Sequence, residues 1–293
     1  MTSSRHLSRR RFVTSTLALG TCTALRFPTL GQAAQIAPAG VCTLSPEQEI
    51  GPYYLDENLL RGDISEGKAG VPLLLELTIL DARHCVPLAN AIVDIWQCDA
   101  LGVYSGFTKA SEMQGPPPGP PPGARDRMHG APPFGAPAGA QRADLDAVPN
   151  GPPPAPPTDQ LTFLRGTMRT DGSGKVAFRS IVPGVYPGRT NHVHFKVREP
   201  ATSNRAAHVS HVGQVFFPEA LMVDLMTMAP YVEHRIARTT LSDDAVYARQ
   251  HGDATIAHVT ALDGSHYSRG LRARIVATVA PEMTQPDSYR STG

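Results

Sequence analysis

Hydrophobic residues form short runs along the chain, some with strict alternation, and groups of Gly, Pro, Asn and Asp separate them. Such runs predict β-strands joined by turns. The predicted strands are Leu73–Leu80, Ala91–Cys98, Lys175–Ile181, one that carries His192 and His194, Gly213–Glu219, and a hairpin-like pair within 254–262 and 271–279. Residues 221–231 have the pattern of a short helix. Short strands with little helix predict an all-β fold, a β-sandwich of mixed or antiparallel strands with long loops.

The sequence HVHFKV, residues 192–197, alternates polar and apolar side chains. Successive side chains of a strand point to opposite faces, so His192, His194 and Lys196 share one face. The intervening apolar residues share the other face, which we expect to be core. Two imidazoles that point to one place are suitable metal ligands. The chain has 11 histidines, so this pair alone is weak evidence for a metal site.

Composition and charge restrict the function classes. The chain has 293 residues, enough for one large domain or two small ones, and a formal net charge of +1. This charge gives no electrostatic case for binding nucleic acid or an acidic membrane surface. Fifteen of the 28 prolines lie between Ser111 and Pro157. We expect a β-sandwich domain over 35–285, a Pro/Gly-rich, disordered or loosely packed insertion at 108–157, and a flexible tail at 286–293.

The N-terminal region has the features of an export signal. Paired arginines in SRRRFV, at 8–13, precede an apolar run, and small residues surround positions 33 and 34. This pattern predicts a twin-arginine signal peptide over 1–34, with a Sec signal as the alternative. We expect the mature protein in the periplasm or outside the cell, without a membrane span.

Three cysteines follow the predicted signal: Cys42, Cys85 and Cys98. An exported protein can keep disulfides, and an odd number of cysteines leaves one thiol over. The sequence is consistent with a disulfide from Cys42 to Cys85 or Cys98, and equally with buried unpaired thiols.

Two turns near the histidine pair contain tyrosine. The turn VYPGRT contains Tyr186 and Arg189 and leads into the strand of His192, whereas GVYSG places Tyr104 after the strand of Trp96. Glycine and proline fix or permit the unusual backbone conformations of such turns. The polar residues beside the imidazoles strengthen the prediction of a metal site, and Trp96 is expected to fill the core.

Five sequence blocks together indicate a known family. They are SPEQEIGPYYL, CVPLANAIVDIWQCDALGVYSG, FLRGTMRTDGSGKVAF, IVPGVYPGRTNHVHFKV and GQVFFPE. Through them the sequence resembles the intradiol ring-cleavage dioxygenases, which include catechol and protocatechuate 3,4-dioxygenases, and most of all their exported single-domain type. The blocks span 42–219 apart from the Pro-rich insertion.

The resemblance implies an iron(III)-dependent enzyme with one non-haem ion per chain. The implied metal ligands are Tyr104, Tyr186, His192 and His194. Arg189, Tyr186 and Gln214 are implied catalytic residues, although the separation of Gln214 from His194 is longer than we expect for the family. The implied substrates are O2 and a small aromatic diol such as catechol or protocatechuate. Cleavage between the two hydroxyl-bearing carbons would give cis,cis-muconate-type diacids.

Other residues near these blocks have open roles. Tyr53 and Tyr54 are candidates for lining the substrate pocket, with packing at the edge of the sandwich as the alternative for both, and Tyr54 and Arg189 are the candidates for substrate binding. His208 and His211 are expected to be exposed loop residues. The oligomeric state is not indicated by the sequence.

The chemistry of the implied donors agrees with iron(III). This hard cation prefers anionic oxygen ligands, and two phenolates with one hydroxide would cancel its three positive charges. A copper or zinc site built on the histidine pair has little reason to recruit both Tyr104 and Tyr186. A non-catalytic β-sandwich that only binds a metal or ligand has little reason to keep Arg189 beside them. These two functions are the alternatives.

Overall fold

A computed structural model describes residues 42–109 and 155–285 of the chain. The predicted signal peptide at 1–34, most of the predicted insertion and the predicted tail at 286–293 lie outside the described residues. Within the described ranges the chain forms two β-sheets with little helix. The predicted all-β sandwich is therefore confirmed.

The first sheet has five strands in a mixed arrangement. They are β1 (Pro72–Asp81), β2 (Val86–Pro87), β5 (Lys175–Ile181), β8 (His258–Ala261) and β9 (Leu271–Val279). Strand β1 lies in the centre, parallel to β9 and antiparallel to β2 and β5. The antiparallel pairing of β8 with β9 confirms the predicted C-terminal hairpin.

The second sheet has four antiparallel strands in the order β4-β3-β6-β7. They are β3 (Ile92–Trp96), β4 (Arg165–Arg169), β6 (His192–Glu199) and β7 (His208–Phe216). Two short helices follow, α1 (Glu219–Leu225) and α2 (Ala245–Arg249). The histidine pair therefore lies on an inner strand of this sheet, flanked by β3 and β7.

The main core lies between the two sheets. Alternate residues of β1, from Leu73 to Ile79, are buried, and so are Val193, Phe195 and Val197 of β6. Burial of one such side chain contributes about 1.5–3 kcal/mol. The prediction that the apolar face of β6 is core is confirmed.

The opposite face of β6 is also buried, because the N-terminal segment 47–55 covers the outer side of the second sheet. The backbone N–H of Gln48 donates to the Val212 carbonyl at 3.0 Å, and the Gln214 N–H donates to the Gln48 side chain at 2.6 Å. A second apolar cluster fills the space between this segment and the sheet, and it includes Ile50, Tyr54, Trp96, Tyr104 and Phe107. The polar face of β6 therefore lies in an enclosed layer.

Two elements differ from the prediction in their bounds, and Glu219, predicted as the end of a strand, begins α1. Strand β7 begins at His208, so that His208 and His211 are buried strand residues and the expectation of exposed loop histidines is wrong. His211 Nδ1 lies 2.7 Å from a Glu47 oxygen of the covering segment, which gives this polar residue a buried partner. The predicted helix at 221–231 ends at Leu225, and turns continue to Pro230, which has no N–H to donate.

Cys42 and Cys85 form a disulfide, with Cα atoms 5.5 Å apart, and Cys98 is a buried free thiol. One of the two pairings left open by the sequence is therefore observed. Across the described ranges, no helix has the length and apolar character needed to cross a membrane.

Candidate functional site

The four predicted metal ligands converge at one place beside the second sheet. Tyr186 Oη lies 3.2 Å from His192 Nε2, which lies 3.1 Å from His194 Nε2. The Tyr104 ring centroid is 5.7 Å from that of Tyr186 and 6.4 Å from that of His194. Two phenol rings and two imidazole rings thus surround a common point, although they come from a turn after β3, a turn before β6 and β6 itself. We call this set the donor cluster.

The backbone fixes the proton position of His192. Its Nδ1 lies 2.6 Å from the Thr190 carbonyl oxygen, which can only accept, so Nδ1 carries the proton. Burial and the charge of Arg189 lower the pKa of His192 to about 3, so the ring is neutral. A neutral imidazole with a proton on Nδ1 presents an Nε2 lone pair, as a metal ligand must.

His194 is held between two neighbours. Its ring stacks on the Trp96 indole with centroids 4.9 Å apart and planes 7° from parallel. On another side the backbone of Gly51 approaches, and a Cβ at this position would lie 3.2 Å from His194 Cε1. Gly51 has φ of +71°, a conformation that favours glycine. Trp96, predicted to fill the core, thus also orients a ring of the donor cluster.

The two tyrosines of the donor cluster, Tyr104 and Tyr186, are neutral when no metal cation is bound. Burial, and then the proximity of Tyr186, raise the pKa of Tyr104 well above its usual value. Burial also raises the pKa of Tyr186, and the positive charge of Arg189 opposes this rise. The buried Tyr104 hydroxyl makes no hydrogen bond of regular geometry with the described residues, and the Tyr186 hydroxyl is a close polar neighbour. An oxygen left in this state is suited to a ligand that the protein alone does not supply.

Arg189 lies beside Tyr186 and is held by three groups. Its Nη1 donates to Tyr186 Oη at 3.3 Å, its Nη2 donates to the Gln214 side-chain oxygen, and its Nε donates to Asp244 Oδ2 at 2.9 Å. Gln214 is thereby part of the site, since the pairing of β6 with β7 places it opposite His194. The long separation in sequence between His194 and Gln214 reflects strand β7, which begins earlier than predicted.

Asp244 is a site residue that the sequence did not reveal. It is fully buried, caps α2 by accepting from the N–H groups of Val246 and Tyr247, and also accepts from the Thr190 N–H at 2.8 Å. Burial raises its pKa, but the charge of Arg189 and the hydrogen bonds accepted from the Thr190 and Tyr247 N–H groups together hold the pKa below its usual value. Asp244 therefore supplies a fixed negative charge to Arg189. No local motif marks it, because its partners are distant in sequence.

The two tyrosines of GPYY occupy different environments. The Tyr53 ring stacks on Tyr104 with centroids 4.7 Å apart, and lies 6.3 Å from the Tyr186 ring. Tyr54 is buried against Trp96, and its hydroxyl donates to Asp94 at 3.3 Å. Tyr53 thus lies against the donor cluster, whereas the substrate-binding role of Tyr54 stays a prediction.

Lys196, the third polar residue of this face of β6, is also enclosed. Its Nζ lies 3.6 Å from the centroid of the Tyr54 ring, a cation–π contact, and burial lowers its pKa to about 8. Arg198 forms an ion pair with Asp94 at 2.8 Å. A buried, partnered polar network therefore continues from the donor cluster along β6.

Two charged side chains beside the donor cluster are partly exposed. Tyr104, His192 and His194 are buried, whereas Arg189 has 12% and Glu49 16% of its side chain exposed. Glu49 Oε1 lies 3.9 Å from Arg189 Nη1. Burial raises the pKa of Glu49, and the charge of Arg189 opposes that rise. Glu49 is a further charged residue beside Arg189 that sequence reasoning missed.

The donor cluster fits a ferric ion better than zinc. Within the described ranges, no group of three His, Cys, Asp or Glu side chains could hold a metal, and the donor cluster adds two tyrosines to its two histidines. Two neutral imidazoles and two ionisable phenols form a mixed nitrogen and oxygen set that suits a hard, highly charged cation. The Tyr104 hydroxyl, which makes no hydrogen bond of regular geometry among the described residues, agrees with this fit.

The fold is similar to that of solved dioxygenases. An intradiol ring-cleavage dioxygenase from Tetranychus urticae has 27% identity and a TM-score of 0.62, covering 83% of this chain and 98% of its own. The dioxygenase domain of a carbohydrate-binding fusion protein from Streptomyces sp. SirexAA-E has 21% identity and a TM-score of 0.47, over 80% and 97% of the two chains. Hydroxyquinol 1,2-dioxygenase from Pseudomonas putida DLL-E4 has 17% identity and a TM-score of 0.44, over 84% and 68%.

No protein-family model and no curated protein sequence matches the chain. The likeness to the Tetranychus urticae protein nevertheless confirms the resemblance to the intradiol ring-cleavage dioxygenases and supports an enzyme of that class.

Proposed function

We propose that the protein is an exported, iron(III)-dependent intradiol dioxygenase that cleaves catechol-type rings between the two hydroxyl-bearing carbons. The single observation that carries the proposal is the convergence of the four donors Tyr104, Tyr186, His192 and His194 in a buried place beside a fixed guanidinium. A ferric ion held there would accept the two oxygens of a catechol and make the ring reactive toward O2. The products would be cis,cis-muconate-type diacids.

The residues of the chain have separable tasks in this proposal. Tyr186 is more exposed than Tyr104 and receives a hydrogen bond from Arg189, so its oxygen is the donor best placed to take a proton from an incoming catechol. Tyr104 is enclosed by aromatic rings and is suited to remain a ligand throughout. Arg189 keeps its charge because Asp244 faces it, and it would stabilise negative charge that develops on the substrate.

Export of the protein is part of the proposal. The paired arginines at positions 9 and 10 support it, and so does the disulfide between Cys42 and Cys85, because disulfides persist mainly in oxidising compartments. Periplasmic and extracellular locations both agree with these observations.

The test is oxygen uptake by the purified, iron-loaded protein with a panel of catechols, followed by mass analysis of the products. We expect consumption of one O2 per ring and a diacid formed by cleavage between the hydroxyl-bearing carbons. Cleavage beside the hydroxyl-bearing carbons, or zinc or copper as the metal that supports turnover, would contradict the proposal. A non-catalytic binding module would bind the catechols without oxygen uptake.

A further inference from the structure

Glu49 lies at the partly exposed side of the donor cluster. One nitrogen of Arg189, Nη1, lies 3.9 Å from Glu49 Oε1 and 3.3 Å from Tyr186 Oη. The carboxylate oxygen is therefore no farther from the phenol oxygen than the sum of these two distances. A substrate bound at Tyr186 therefore lies within range of the charge of this carboxylate.

Glu49 is not required to hold or neutralise Arg189. The fully buried Asp244 already accepts from Nε at 2.9 Å, and Gln214 accepts from Nη2. The 3.9 Å separation from Glu49 is too long for a hydrogen bond. Within the part of the chain that the structure describes, the Glu49 carboxylate accepts no hydrogen bond. Its backbone, by contrast, is fixed by Gln250 and Gln214.

The position of Glu49 thus combines a fixed backbone with a partly exposed carboxylate that lies 3.9 Å from the Arg189 guanidinium. We propose that Glu49 determines specificity by favouring catechols with a neutral or cationic ring substituent over catechols that carry a carboxylate. The inference rests on the proposed function and narrows its substrate class. Its physical reason is the repulsion between like charges a few ångströms apart in a partly desolvated site. A cationic substituent gains from the same field.

The experiment compares the iron-loaded wild-type protein with Glu49→Gln, which keeps the shape of the side chain and removes its charge. Three substrates share the dihydroxybenzene ring: catechol, the carboxylated protocatechuate and the cationic dopamine. We expect the protocatechuate-to-catechol ratio of kcat/KM to rise about tenfold in Glu49→Gln, and the dopamine-to-catechol ratio to fall. Glu49→Lys should shift both ratios further in the same directions.

Glu233→Gln is the matched control, because Glu233 is exposed in the Tyr231–Glu233 turn and its charge change should leave both ratios as in the wild type. Dissociation constants of the three substrates, measured without oxygen, provide a readout independent of turnover. They should show the same changes in substrate preference between the wild type and the Glu49 variants. Unchanged ratios in both Glu49 variants, with catechol still cleaved, would overturn this inference and leave the proposed function intact. A wild-type protein that cleaves none of the three rings would overturn the proposed function and this inference together.

Discussion

Arg189 and Asp244 form a buried ion pair, with Arg189 Nε 2.9 Å from Asp244 Oδ2. The pair joins the turn that carries Tyr186 to the first turn of α2, which are 55 residues apart in the chain. Because Asp244 caps the helix and also accepts from the Thr190 N–H, the guanidinium has little freedom to move. The region after β7 therefore helps to fix the geometry of a site whose donors all precede it.

Asp244→Asn should destabilise the protein, because it removes one partner of a buried charge pair while leaving a side chain able to cap the helix. We expect the free energy of unfolding to fall by about 3 kcal/mol. Urea denaturation measures this. Asp243→Asn is the control, because the carboxylate of Asp243 is exposed although it neighbours Asp244 in the chain. Equal losses in the two variants would show that the ion pair is not the cause.

His192→Ala should abolish iron binding. The substitution removes an Nε2 lone pair from the centre of the donor cluster and leaves a cavity beside His194. Metal analysis after reconstitution with ferrous salt and air gives the iron content per chain. The exposed His258 provides a control variant, His258→Ala, that should stay fully loaded. Full iron occupancy in His192→Ala would refute the ligand assignment.

Tyr186→Phe should keep its iron, held by three remaining donors, but lose at least about a hundredfold in kcat, because the proposed proton acceptor is gone. Single-turnover oxygen uptake alongside metal analysis separates the two effects. Tyr267→Phe, a change at an exposed tyrosine, should match the wild type in both. Undiminished turnover in Tyr186→Phe would remove this residue from the catalytic set.

Much of the fold could be predicted from residue patterns. The run at 73–80 and the pair of strands at the C-terminus are confirmed as β1 and as β8 with β9, since alternation and flanking turns are local signals. The start of β7 was missed because His208, Ser210 and His211 look like loop residues. Their buried partners are distant in sequence: His211 lies against Glu47, more than 150 residues earlier, and His208 against the Pro281 carbonyl near the C-terminal end of the fold.

The residues of the site likewise fall into those that a local sequence pattern predicts and those that it does not. The His-X-His spacing placed two imidazoles on one face by strand geometry alone, and Trp96, assigned to the core, is buried as expected. Asp244 and Glu49 were missed, because their relation to Arg189 depends on how distant segments pack. Sequence periodicity carries no information about such contacts.

Cys85→Ser should lower stability by about 2–4 kcal/mol, because it opens a loop that joins residues 43 positions apart. Thermal unfolding with and without dithiothreitol measures the effect. The reductant should lower the Tm of the wild type and leave that of Cys85→Ser unchanged, since Cys98 has no partner. A wild type insensitive to the reductant under denaturing conditions would contradict a stabilising role for the disulfide.

The metal-free protein should lose stability as pH falls below about 6.5, the ordinary histidine pKa. Burial lowers the pKa of His192 to about 3 and that of His194 well below its usual value. The unfolded chain therefore binds protons in this range that the folded chain does not, and stability rises with pH by up to about 1.4 kcal/mol per unit for each histidine. Urea denaturation at a series of pH values should give a shallower slope for His192→Gln. Equal slopes would contradict the assigned pKa shifts.

The central claim is that two phenolates and two imidazoles bind one ferric ion. The visible absorption spectrum of the iron-loaded protein, recorded together with its metal content, tests it most directly. We predict one iron per chain and a burgundy colour from phenolate-to-iron charge transfer, which weakens in Tyr104→Phe and shifts when catechol is added without oxygen. A colourless protein that takes up no iron from ferric or ferrous salt would contradict the claim.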